Sequence, residues 1–243
     1  MLFTFLIVHF GFRRQIGLRL HLQSEDKPRF KEIAAGFLLG FGMNIALTLL
    51  FSLLSEAFSI PITGDGYYLT SYPLTNVLMI VTVVIAAPLF EEYLFRGVIL
   101  MTLQRYGNWF AIMVSSLLFA LSHGTISQAA CVFFLGFVIG YLTVRSGSLR
   151  LAILFHMLNN AIALLPMFIS SEMLSNLLSL VLLAAGIAGV VLLILLIRRQ
   201  KTFVASLTTP YDYPISRFFH NWASILLIIL FVAMLLINFV QIL

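Results

Sequence analysis

Apolar residues run along this chain in long blocks, at roughly 1–12, 33–55, 74–105, 108–123, 128–144, 151–168, 174–197 and 222–243, with short polar stretches between them. Most blocks approach the about 17–25 residues that cross a bilayer as α-helix. The polar–apolar alternation over about ten residues that marks a membrane barrel strand is absent. Helix is therefore the expected element, because a lipid-exposed backbone has to satisfy its hydrogen bonds within its own segment. The pattern predicts one all-α polytopic transmembrane helix bundle of about eight spans with a short first one, residues 1–243 forming a single transmembrane domain.

Composition excludes an ordinary soluble fold. Hydrophobic residues make up 61% of the chain and charged residues 9%, whereas a soluble domain is near a quarter charged. The first apolar block is followed, not preceded, by Arg13 and Arg14, the reverse of the order in a cleavable signal peptide, so it reads as a short span. A single cysteine, Cys131, supports neither a disulfide framework nor a thiolate metal cluster.

The net charge of +5 reports topology rather than nucleic-acid binding, since the basic residues lie between apolar blocks and form no patch interleaved with aromatics. With residues 13–32 placed in the cytoplasm and spans alternating from there, Arg105, Arg145, Arg150, Arg198, Arg199, Lys201 and Arg217 fall on the same side. The opposite loops at 56–73, 124–127 and 169–173 contain no Lys or Arg, as the positive-inside rule requires. The expectation is a multi-pass protein of the cell membrane with cytoplasmic basic loops, partnered by the lipid bilayer and not by nucleic acid. Gly36-x-x-x-Gly40 and Gly136-x-x-x-Gly140 offer small faces for close helix approach.

Against this apolar background a few ionisable residues stand out, because a charge at the bilayer centre costs roughly 2.5–3.5 kcal/mol and is expected to be paired and functional. Glu92 and Arg96 are four apart and share a helical face, so they can pair. Glu91 points about 100° away and has no obvious charge partner, which leaves it able to face a cavity and take a proton from water. Pro88 cannot donate to the carbonyl of Val84 and is expected to kink the helix. His123 closes one apolar block, while His156 and Asn160 share a face and could donate together to one oxyanion. At about 1.5 Å per residue, Glu91 and His123 lie roughly 21–22 Å from the polar ends of their helices, and His156 and Asn160 only about 9 and 15 Å from Arg150. The third group is thus expected to be shallower unless its helix starts below the surface or the others tilt.

Glu91-Glu92-x-x-x-Arg96, Phe119-x-x-x-His123 and His156-x-x-x-Asn160, in this order on separate membrane helices, resemble the CAAX prenyl endopeptidase and bacteriocin-processing family (CPBP, also called Abi) over about residues 74–165. The resemblance implies an intramembrane endopeptidase acting on a peptide or membrane-protein substrate, near the cytoplasmic leaflet. By the same resemblance Glu91 activates a water that His123 helps to position, His156 and Asn160 stabilise the oxyanion, and Glu92 and Arg96 support the site. No cofactor is expected; if a divalent metal is bound, Glu91, His123 and His156 are the candidate ligands, although there is no His-Glu-x-x-His helix. The family also includes non-catalytic proteins, so a bacteriocin self-immunity or membrane scaffold role is the alternative. A proton-coupled transporter would carry buried carboxylates too, but the sequence shows no inverted repeat.

Overall fold

The structure, a computed structural model, describes residues 28–58, 67–123, 126–198 and 213–240. Among these residues the regular elements are all helices. They are α1 (Phe30–Phe58), α2 (Pro73–Tyr106), α3 (Asn108–Leu121), α4 (Ile126–Ser146), α5 (Leu149–Leu164), α6 (Glu172–Arg198), α7 (Ser216–Phe219) and α8 (Trp222–Val240). Helices α1, α2, α4 and α6, and α5 with the turn that follows it to Phe168, are long and apolar enough to cross a bilayer, and α3 is a shorter apolar helix. The chain is an integral membrane protein with an all-α bundle. The expected first span, 1–12, lies outside the described residues.

Helix α2 is longer than a crossing needs. Its 34 residues would reach roughly 51 Å as a straight α-helix, against about 30 Å of hydrocarbon. Two stretches wound as π-helix, Thr82–Ala86 and Tyr93–Leu100, take up part of the excess, since a wider turn rises less per residue. Gly107, at φ +101°, reverses the chain into α3, a conformation that glycine adopts without steric penalty. Ser148 caps α5 by accepting from the Leu151 N–H at 3.3 Å.

Helix α1 packs along both α4 and α6, and small residues let it do so. A Cβ on Gly40 would lie 3.4 Å from the Leu135 backbone and the Val138 side chain, and one on Gly189 only 2.6–2.8 Å from the backbone of Gly42 and Met43. Both predicted Gly-x-x-x-Gly pairs sit at helix contacts, Gly136 and Gly140 facing α2 and α3. Leu39, Met43, Leu135, Val138, Ile139, Leu142, Ala152 and Phe155 form a buried core between α1, α4 and α5. At one end of the bundle Arg145 of α4 lies 3.9 Å from Glu32 of α1, and the Tyr213 N–H donates to the Arg105 carbonyl at 3.1 Å. The basic helix ends are thereby gathered together.

Candidate active site

The site begins with a backbone problem in α2. Proline has no N–H, and in the π-wound stretch, where the Ala87 N–H reaches back to the Thr82 carbonyl, the acceptor that Pro88 leaves without a donor is the carbonyl of Val83. The sequence pointed to Val84, which assumes uniform α winding. Asn160 of α5 supplies the missing donor, its Nδ2 lying 2.9 Å from Val83 O. Its Oδ1 in turn accepts from Asn159 Nδ2 at 3.1 Å.

One turn further along α2, Glu92 and Arg96 are both 0% exposed. Arg96 Nη1 donates to Glu92 Oε1 at 3.2 Å. Arg96 Nε lies 3.1 Å from Oε2, a pairing distance without hydrogen-bond alignment. The guanidinium is completed from outside its own helix: Nη2 donates to Gly136 O of α4 at 2.9 Å, and Cζ stands 4.5 Å above the Phe119 ring of α3. Gly136 makes room for this, because a Cβ there would sit 2.9 Å from Phe119 Cδ1 and 3.1 Å from Arg96 Nη2. The paired carboxylate therefore arrives in the interior with its countercharge fixed on three sides.

Glu92 Oε1 also accepts from His156 Nδ1 at 2.8 Å. A carboxylate already paired with arginine only accepts, so the ring proton is on Nδ1 and Nε2 faces the other way. There it lies 3.9 Å from Glu91 Oε2. His123 is held similarly, Nδ1 donating to the Phe119 carbonyl at 2.9 Å and the ring standing edge-on to Phe119 with centroids 4.8 Å apart. Phe119, fully buried, thus touches Arg96, His123 and His156, the last at 5.6 Å between centroids.

Glu91, His123, His156 and Asn160 line one cavity of about 500 Å³, while Glu92 and Arg96 lie behind it. The six residues singled out in the sequence are therefore brought together, and the expected depth misfit of the third group is corrected. The count took every residue of α2 to rise as in an α-helix, and the π winding of Tyr93–Leu100 removes part of the difference for Glu91. Glu91 is likewise not without a polar neighbour, because His156 Nε2 faces it from α5 at 3.9 Å. The pairing of His156 with Asn160 as twin donors is modified too: His156 presents its proton to Glu92, and one Asn160 N–H is held by Val83. The sequence did not mark Asn159, which lines the cavity and is 5% exposed, or the structural use of Phe119 and Gly136. A Phe-x-x-x-His spacing and a glycine pair were the available signals.

Among the described residues no three His, Cys, Asp or Glu side chains converge as a metal-ligand set. Glu91, His123 and His156 line the same cavity without forming such a cluster.

Residues 73–162 match the model of a family described as Type II CAAX prenyl endopeptidase Rce1-like. That segment runs from the start of α2 almost to the end of α5, contains all three motifs, and agrees with the resemblance drawn from them. A stretch of 95 residues is 36% identical to an Escherichia coli protein named Uncharacterized 24.3 kDa protein, covering 37% of this chain and 44% of that relative. The match thus spans less than half the relative's length. No solved structure matches the chain.

Proposed function

We propose that this chain, a CAAX-protease-like membrane protein by its match over residues 73–162, is an intramembrane endopeptidase that hydrolyses a peptide bond with a water activated by Glu91. One observation carries the reading. Glu91 Oε2 and His156 Nε2 face each other at 3.9 Å on the wall of the cavity, too far to bond directly and close enough for one water to donate to both. Such a water turns its lone pair toward a carbonyl carbon placed in the cavity.

In the reaction Glu91 takes the proton as the water oxygen bonds to the carbonyl carbon, and later returns it to the leaving amine as the C–N bond breaks. The second N–H of Asn160 donates to the oxyanion. His156, kept in one tautomer by Glu92 as Glu92 is kept by Arg96, positions the water, and His123 offers its Nε2 to the same space. This differs from the roles implied by the resemblance in giving His156 the water rather than the oxyanion. Ser122, beside His123 in sequence, is not set up as a nucleophile, for its hydroxyl donates to the Phe119 carbonyl at 2.7 Å and is not bonded to the adjacent histidine.

The experiment is to express Glu91→Gln and His123→Ala variants and assay cleavage of a reporter library in membranes. Loss of cleavage in both is expected. Cleavage like that of wild type in both would overturn the mechanism, and protection against a bacteriocin that survives loss of Glu91 would favour the immunity alternative. The positive-inside distribution of the basic residues supports placement in the cell membrane with the gathered basic ends in the cytoplasm.

A further inference from the structure

The catalytic cavity is not central in the bundle. On each long helix that lines it, most of the lining residues fall in the half remote from the basic ends, while Glu91 and His156 stand near the middle of α2 and α5. Asn44 stands at the midpoint of α1 with Thr48 and Phe51 beyond it, Thr82 to Ala87 lie in the first half of α2, and Ser127 to Leu135 in the first half of α4. Asn159 to Leu164 occupy the last turns of α5, His123 lies just past the end of α3, and Tyr67 precedes α2. At the opposite ends of these helices stand Arg105, Arg145 and Arg150, the end tied together by the Arg145–Glu32 pair. Toward the basic end from Glu91, the buried residues include Leu100, Leu103, Ala111 and Ile112 and the Leu135–Leu142 core.

We infer that the cavity opens to the extracytoplasmic side and that the substrates are exported polypeptides or membrane-protein segments presented outside. The inference rests on the endopeptidase reading for the word substrate, but the direction of opening rests on topology alone. All fourteen Lys and Arg residues except Arg96 lie at or beyond the other end when the helices alternate, and orientation follows that bias. Such an opening departs from the expectation of cleavage near the cytoplasmic leaflet. The lining fits an uncharged peptide backbone: Asn44, Thr48 and Asn159 are neutral hydrogen-bonding groups beside the apolar Phe51, Val132 and Leu164.

The test is cysteine labelling of the full chain in cells with a membrane-impermeant maleimide. In a Cys131→Ser background, Gln128→Cys, in the cavity wall, is expected to label in intact cells to the level reached after permeabilisation, and Arg150→Cys, exposed at the basic end, only after permeabilisation. If Gln128→Cys labels in neither state, Tyr67→Cys, 60% exposed and lining the same cavity, decides by the same criterion. Labelling of the cavity cysteine only after permeabilisation overturns the inference. Labelling needs no turnover, so it separates the two readings: a Glu91→Gln chain that still cleaves would sink the protease mechanism and leave the labelling result standing.

Discussion

Removing Arg96 while leaving Glu92 in place is the sharpest perturbation of the supporting structure. At 3.1 Å between Nε and Oε2, and with an effective dielectric constant of about 20, the two charges attract by roughly 5 kcal/mol, most of which offsets the desolvation of two fully buried groups. Arg96→Met withdraws that attraction together with the bonds to Gly136 and the stacking on Phe119, and strands a carboxylate in the interior. Breaking such a pair from one side costs about 3–5 kcal/mol. Glu92→Gln combined with Arg96→Met leaves no buried charge, and the amide oxygen can still accept from His156, so the double variant is expected to recover about 1–3 kcal/mol relative to the sum of the single changes. The assay is unfolding of the purified chain in mixed detergent micelles, followed by circular dichroism. An Arg96→Met chain within about 0.5 kcal/mol of wild type, or strict additivity in the double variant, would refute the reasoning.

Further outcomes follow from the same geometry. Gly136→Ala puts a Cβ 2.9 Å from Phe119 Cδ1 and 3.1 Å from Arg96 Nη2, and is expected to destabilise the chain by about 1–3 kcal/mol, read as a lowered thermal midpoint; an unchanged midpoint would mean that the ring and the guanidinium have room to give. Asn160→Ala orphans the Val83 carbonyl and should cost about 1–3 kcal/mol, whereas in a Pro88→Ala background, where residue 88 can donate again, the same change should cost clearly less. Equal costs in the two backgrounds would contradict the role given to Asn160. Glu91→Gln should lower the cleavage rate by about 10²–10⁴-fold without a comparable shift in the unfolding midpoint, measured on the same preparation.

The long apolar blocks made the helices legible, because a span has to be apolar for about twenty residues and little else produces that pattern. The Glu92–Arg96 pair was legible for a related reason: both partners lie on one helix, and a four-residue spacing is visible along the chain. What lay between helices was not. Glu91 meets His156 from a helix 65 residues away in sequence, and Arg96 finds its remaining partners in a ring on α3 and a carbonyl on α4. A carbonyl has no side-chain signature, so neither Gly136 O nor Val83 O could be read from residue types. The π winding was hidden as well, since it changes the register of an apolar helix without changing its composition, and it accounts for part of the error in the depth count. The clustering of the cavity toward the end away from the basic residues appeared only once Asn44, His123, Gln128 and Asn160 were seen to line a common space.

The central claim is that the Glu91 carboxylate activates the water that cuts a peptide bond, and one measurement meets it directly. Wild-type and Glu91→Gln chains are purified, reconstituted into proteoliposomes and given the same peptide library, with products identified by mass spectrometry and folding matched by unfolding midpoint. The account predicts defined cleavage products from wild type and their loss from a Glu91→Gln chain that is equally well folded. The same products from both chains, at similar rates, would contradict it.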